Sequence, residues 1–132
     1  MALYYEEPIA LVDGDGRRVV DAEGNEYLDF FGGILTTMSG YRVPEVVAAI
    51  KQQADRMLHT STLYLIESQI ELAEKIAGLS GIPDAKVFFT NSGTEANETA
   101  LLLATYARKS DQVLAMRQSY HGRSFGAVSV TS

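Results

Sequence analysis

"FFTNSGTEANETALLLATYARK", residues 88–109, runs from strand-forming residues through a small polar turn at Asn91-Ser92-Gly93 into one long helix. A strand that feeds a helix through a tight turn is the building unit of an α/β fold. It leaves the first N–H groups of the helix unpaired and partly positive, ready for a capping side chain or an anion. Both completions are open here. In the simpler one, Ser92 is the N-cap and Glu95 its reciprocal partner, an S-x-x-E capping box that needs no ligand. In the other, Gly93 admits a close approach, and the amides of Gly93 and Thr94, with the Ser92 or Thr94 hydroxyl, surround a phosphate at the carboxyl end of a sheet strand. That reading requires the Glu95 carboxylate to turn away from the phosphate, back toward the cap. Neither GxxxxGK[ST] nor GxGxxG is present, so a nucleotide is not indicated.

Downstream, the spacing predicts a helix over 94–109, a strand over 112–116 and another over 125–131. Ala100-Leu101-Leu102-Leu103-Ala104 makes that helix apolar nearly all round, so burial on more than one side is expected. Between the strands lies Arg117-Gln118-Ser119-Tyr120-His121-Gly122-Arg123, which the same topology brings to the same sheet edge. Tyr120 can stack on a planar ligand and Arg123 can grip a carboxylate through two parallel hydrogen bonds. In isolation the same residues read equally well as interior packing and a solvated loop charge.

Upstream, residues 86–90 read as a strand. Residues 9–31 alternate short β-rich runs with turn signals and predict a small antiparallel meander. Asp13-Gly14-Asp15-Gly16 lacks the later ligands and glycine of a calcium loop, because Arg17 and Arg18 stand in their place, and it reads as a turn. Val46, Val47, Ile50, Ala54, Met57 and Leu58 predict a helix over 44–58 with Pro44 in its first turn and one buried stripe. A second helix is predicted over 67–79, closed by Ser80-Gly81 and Pro83. The connector His59-Thr60-Ser61-Thr62-Leu63-Tyr64 is polar and aromatic, a composition suited to a site or an interface. The change of pattern near residue 80 divides the chain into a meander-and-helix segment, 1–80, and the start of an α/β domain, 81–132.

With 132 residues, 46% hydrophobic content and a net charge of −6, the chain has the make-up of a globular domain able to bury most of its apolar surface. Eleven scattered lysines and arginines form no basic stripe, which argues against a nucleic-acid partner. No apolar run approaches the roughly 18–20 residues that cross a bilayer, so no membrane association is expected and a cytoplasmic setting is the default. Cysteine is absent, and His59, His121 and the carboxylates have no helical i, i+4 pairing, so no metal site is expected.

Taken in order, "DAEGNEYLDFFGGI", "VPEVVAAIKQQADRMLHTSTLY", "ESQIELAEKIA", "VFFTNSGTEANETALLLA" and "SYHGRSFGAVSVT" resemble the class III, ω-type aminotransferases that use pyridoxal phosphate. The resemblance covers the whole chain, and NSGTEANE followed by YHGR is a specific pair. It implies the N-terminal part of the fold type I architecture, and transamination between an amino acid or amine donor and a keto acid. Gly93 and Thr94, beside Ser92, would bind the cofactor phosphate and Tyr120 would stack on its ring. His121 would have a local packing or positioning role, and Arg123 would meet the substrate carboxylate. It also implies a homodimer with shared active sites.

Two departures qualify these expectations. Many members read G-H-x-H-P where this chain has Gly40-Tyr41-Arg42-Val43-Pro44, which touches subfamily and substrate. In the family the lysine that anchors the cofactor lies far beyond residue 132, and Lys51, Lys75, Lys86 and Lys109 do not match it. No catalytic residue is therefore expected within the 132 residues, which read as the N-terminal portion of a longer enzyme and as inactive alone. The alternative is a catalytically inactive module for cofactor binding or dimer assembly. The family topology further implies that residues 86–90 do not pair with residues 112–116.

Overall fold

Asp15 and Arg18 face each other across a two-residue turn in which Gly16 takes the left-handed φ of 54° that glycine adopts without strain. They close the hairpin of β1 (Leu11–Asp15) and β2 (Arg18–Asp21), and β3 (Glu26–Leu28) pairs antiparallel on the other side of β2. The order β1-β2-β3 is the meander expected for residues 9–31. These elements belong to a computed structural model that describes residues 5–132, and the chain divides into two compact units between Tyr64 and Leu65.

A single carboxylate organises the β2–β3 turn. Asp21, 3% exposed, accepts hydrogen bonds from the Tyr27 hydroxyl at 2.6 Å, the Asn25 side chain at 3.0 Å, and the backbone amides of Asn25 at 2.8 Å and Glu23 at 3.0 Å. Four donors on one buried carboxylate leave it fully satisfied, as a charge removed from water must be. The Tyr27 hydroxyl, followed by the Asn25 side chain, holds its pKa down from the ordinary 3.8 to about 2.

The loop leaving β3 is tied in the same way. Asp29 accepts from the Tyr41 hydroxyl at 2.6 Å and from the amides of Phe31 at 2.8 Å and Gly32 at 2.9 Å. Tyr41 exchanges backbone hydrogen bonds with Gly16, and its ring lies where a side chain on Gly14 would stand. Arg42 pairs with Asp13 at 2.6 Å. Tyr41, one of the two positions at which the loop departs from G-H-x-H-P, and its neighbour Arg42 thus serve as ties back to the hairpin. The first unit then continues into α1 (Pro44–Arg56), with Pro44 in its first turn, where its missing N–H leaves nothing unpaired.

The second unit contains α2 (Glu67–Leu79), α3 (Gly93–Arg108) and the short α4 (Phe125–Ser129). Both α2 and α3 match their expected spans to within a residue or two. Three expected strands do not form. Residues 86–90 and 112–116 carry no ladder, because a parallel strand exists only through hydrogen bonds to neighbours and neither segment has one among the described residues, including each other. Residues 125–131, expected as a strand, instead begin with the α4 turn, whose first amides are held by Glu98.

Burial is the other correction. The buried apolar residues described are Val19 and Ala127, and no residue of α1, α2 or α3 is buried. Leu102 and Leu103 of α3 remain 67% and 60% exposed. An all-round apolar helix needs a second layer to cover it, and within its unit α3 packs on α4 and on no other helix. No helix among the described residues is long and apolar enough to cross a membrane.

Because the folded pKa of Asp21 lies below its unfolded value, its stabilising contribution is complete above pH 3.8 and is lost as pH falls through about 2. Asp21→Asn lowers the thermal midpoint at neutral pH, and the gap between variant and wild type closes progressively as the medium is taken below pH 3.8 toward about 2. Thermal melts across that range measure it.

Candidate functional site

Ser92 is the N-cap of α3, and its hydroxyl oxygen accepts from the Glu95 amide at 3.2 Å. The Glu95 carboxylate folds back, accepting from the Asn91 amide at 2.8 Å and from the Ser92 hydroxyl at 3.2 Å. The capping box is therefore formed, and in forming it turns the Glu95 carboxylate toward Asn91. The two readings of this turn are compatible: the cap uses the Glu95 amide and leaves the amides of Gly93 and Thr94 with no acceptor among the described residues. A Cβ built on Gly93 would meet no atom within 4 Å beyond its chain neighbours and its own helix backbone, so space is open beside that residue.

The loop after residue 116 closes onto this helix. Thr94 Oγ1 lies 2.5 Å from Ser124 Oγ and accepts from the Ser124 amide at 3.1 Å. Gly122 is buried at φ 136°, and a Cβ there would collide with the Thr94 side chain and approach Ala127 Cβ to 3.0 Å. Asn97 Nδ2 donates to the His121 carbonyl at 2.5 Å, while the His121 amide donates to Thr131 Oγ1 at 3.0 Å. The Glu98 carboxylate accepts from the amides of Gly126 at 2.6 Å and Ala127 at 3.2 Å. Its pKa is lowered, first by the Ser124 hydroxyl and then by the Ala127 and Gly126 amides.

The residues singled out in the sequence thus take distinct positions. Gly93 and Thr94 present unpaired amides, whereas the hydroxyls of Ser92 and Thr94 are engaged in the cap and with Ser124. His121 is half-buried and lines a cavity of about 300 Å³ with Asn97, Leu101, Leu114 and Val130. Tyr120 is 60% exposed, and the Arg123 guanidinium lies over its ring at 5.8 Å from the centroid, within cation–π range. Asn97, Glu98 and Ser124 were not singled out. For Asn97 and Glu98 the available signal was polarity in helix positions three and four beyond Thr94, on the face Thr94 shares; Ser124, the N-cap of α4, carried none of that kind.

A phosphate dianion fits this arrangement. Two helix-end amides have no acceptor among the described residues, the nearest carboxylate is turned back on the preceding turn, and the helix dipole favours negative charge there.

The family description "Aminotransferase class-III" matches residues 3–132. The chain is 47% identical to an acetylornithine aminotransferase of Caldanaerobacter subterraneus subsp. tengcongensis, covering 99% of this chain and 34% of that protein. It is 44% identical to the acetylornithine aminotransferase of Mycolicibacterium smegmatis, covering 97% and 32%. Among solved structures it is similar to an (S)-enantioselective omega-transaminase from Thermomicrobium roseum, with TM-score 0.84, 36% identity and coverage of 96% and 30%. It is also similar to a phospholyase from Arthrobacter in complex with phosphoethanolamine, with TM-score 0.87, 35% identity and coverage of 98% and 30%. The fold is that of the N-terminal part of these enzymes, and the chain spans about a third of the length of the relatives it matches.

Gly122→Ala would force a Cβ into Thr94 at a φ that favours glycine, so it is expected to destabilise the second unit by about 1–3 kcal/mol through overpacking, with backbone strain in addition. Comparing denaturant midpoints of wild type and variant in the full-length polypeptide tests this.

Proposed function

The chain belongs to the class-III aminotransferase family, and from that premise we propose that it supplies the phosphate turn and the ring platform of a pyridoxal-phosphate-dependent transaminase, as the N-terminal part of a longer polypeptide. Class III aminotransferases use pyridoxal phosphate. The observation that carries the reading is the pair of unpaired amides at Gly93 and Thr94, with the Glu95 carboxylate turned aside. When bound, the cofactor supplies the electron-withdrawing ring that makes amino-group transfer accessible.

In this reading the Gly93 and Thr94 amides bind the phosphate and the Ser92 cap holds the turn that presents them. Tyr120 offers its exposed face to the ring, and the closure of Gly122 onto Thr94 supports its placement near the phosphate turn. His121 anchors the loop by its backbone and fills space beside α3. Arg123 receives the substrate carboxylate, for which a guanidinium is geometrically suited. The substrates are an amino acid or amine donor and a keto acid acceptor. Relatives named for acetylornithine favour a donor that itself carries a carboxylate.

The lysine that anchors the cofactor is assigned to the remainder of the polypeptide, and the 132 residues alone are expected to be inactive. The start of the cofactor-binding α/β domain is placed near residue 81, and the setting is taken as cytoplasmic. Exposed Leu58, Leu63, Tyr64 and Leu65 in and beside the connector favour an assembly role as well, in a homodimer that shares its active sites.

The test is Gly93→Val in the full-length polypeptide. The added Cβ meets no atom within 4 Å beyond its chain neighbours and its own helix backbone, so the thermal midpoint without cofactor is expected to stay close to the wild-type value. Pyridoxal phosphate affinity falls at least about tenfold, since a charge-assisted hydrogen bond contributes about 1.5–3 kcal/mol. Undiminished affinity, read by titration of cofactor absorbance, counts against the phosphate turn.

A further inference from the structure

Three side chains on one face of α3, Thr94, Asn97 and Glu98, close on a single segment, His121–Ala127. Thr94 meets Ser124 and the buried Gly122, Asn97 meets the His121 carbonyl, and Glu98 meets two consecutive amides at the start of α4. Ala127, the residue whose amide Glu98 binds, is fully buried. The Glu98 carboxylate also lies 2.6 Å from where a Cβ of Gly126 would stand, so it presses against bare backbone.

A five-residue helix does not persist on its own, because nucleation costs more than one turn of hydrogen bonds returns. What holds α4 is an anion at its N-terminus, and that anion is a side chain of α3. Tyr120 and Arg123 lie on the stretch immediately before this anchor, and nothing in α3 bonds to either of them directly. The anchors, Asn97 at His121 and Thr94 with Glu98 at Ser124–Ala127, flank Arg123 and follow Tyr120 directly in the chain.

We propose that Glu98 is a positioning residue for the cofactor ring: by holding the Gly126 and Ala127 amides it fixes the loop that carries Tyr120 against the phosphate turn of the same helix. The inference rests on the reading of Tyr120 as the ring platform. Glu98 touches neither ring nor phosphate. Its loss lets α4 fray, releases Ser124 from Thr94, and leaves the Gly93 and Thr94 amides where they were. The cofactor then keeps its phosphate contacts and loses its stacked face.

The experiment is a double-mutant cycle in the full-length polypeptide, with dissociation constants measured for both pyridoxal phosphate and pyridoxal. Glu98→Ala is expected to weaken both ligands by a common factor on the order of tenfold, because both use the ring and only one uses the turn. Glu98→Gln is expected to stay within about threefold of wild type, since its carbonyl still accepts both amides. In a Tyr120→Ala background, adding Glu98→Ala costs less than about twofold, because the group it positions is gone. Should Glu98→Ala fail to fold, Glu98→Asp, one methylene short of the amides, takes its place in the cycle. A folded Glu98→Ala protein with unchanged affinity overturns the proposal, as do additive losses in the double variant. A wild type that binds no pyridoxal phosphate, or a Tyr120→Ala protein that binds it as wild type does, overturns the site reading and this inference with it.

Discussion

The contact of Gly122 with Thr94 is the constraint on which the second unit depends. Thr94 is the second residue of α3, and its hydroxyl is spent on Ser124 rather than on its own helix end. A glycine at φ 136° brings the loop backbone against that side chain, closer than any residue with a Cβ could come. The start of one helix and the loop carrying Tyr120 and Arg123 therefore form one structural object. The apolar residue buried in this unit, Ala127, lies at the same junction.

What could be read from the residues, and what could not, divides along the range of the forces. The meander, α1, α2 and α3 rest on local spacing, turn glycines and a proline at N1, and their spans agree with expectation to within about two residues. Ser92 and Glu95 announced their cap for the same reason: partners three residues apart leave a pattern in the sequence. Residues 125–131 did not. Val128, Val130 and Thr131 read as strand-forming, and the group that makes a helical turn there, Glu98, stands 28 residues earlier than Gly126. Composition also promised a covered core. The apolar residues are present, but α1, α2 and α3 leave them exposed, because amphipathic spacing says which face wants burial and not what covers it.

The same limit explains the missing ladders. Lys86–Thr90 and Gln112–Met116 carry the residue types of strands, yet propensity is realised only when a neighbour supplies hydrogen bonds. The antiparallel meander supplies its own neighbours through turns of a few residues, so it forms within the chain. Parallel strands need partners from distant sequence. Local pairing and distant pairing thus separate the sheet that forms among the described residues from the segments that form none.

The candidate site was legible as two motifs and illegible as one arrangement. Helix-end amides, a loop aromatic and a guanidinium were each visible, but the bonds that tie the loop after residue 120 to α3 come from Thr94, Asn97 and Glu98, which read as ordinary helix positions. Carboxylates of α3 deal differently with two of the helix N-termini in this unit. Glu98 reaches away from its own helix and fills the N-terminus of α4. Glu95 bends back to the preceding turn and leaves the amides of Gly93 and Thr94 unanswered. An internal anion satisfies one terminus while the nearest carboxylate is turned away from the other, and that asymmetry is the observation on which the proposed phosphate turn rests.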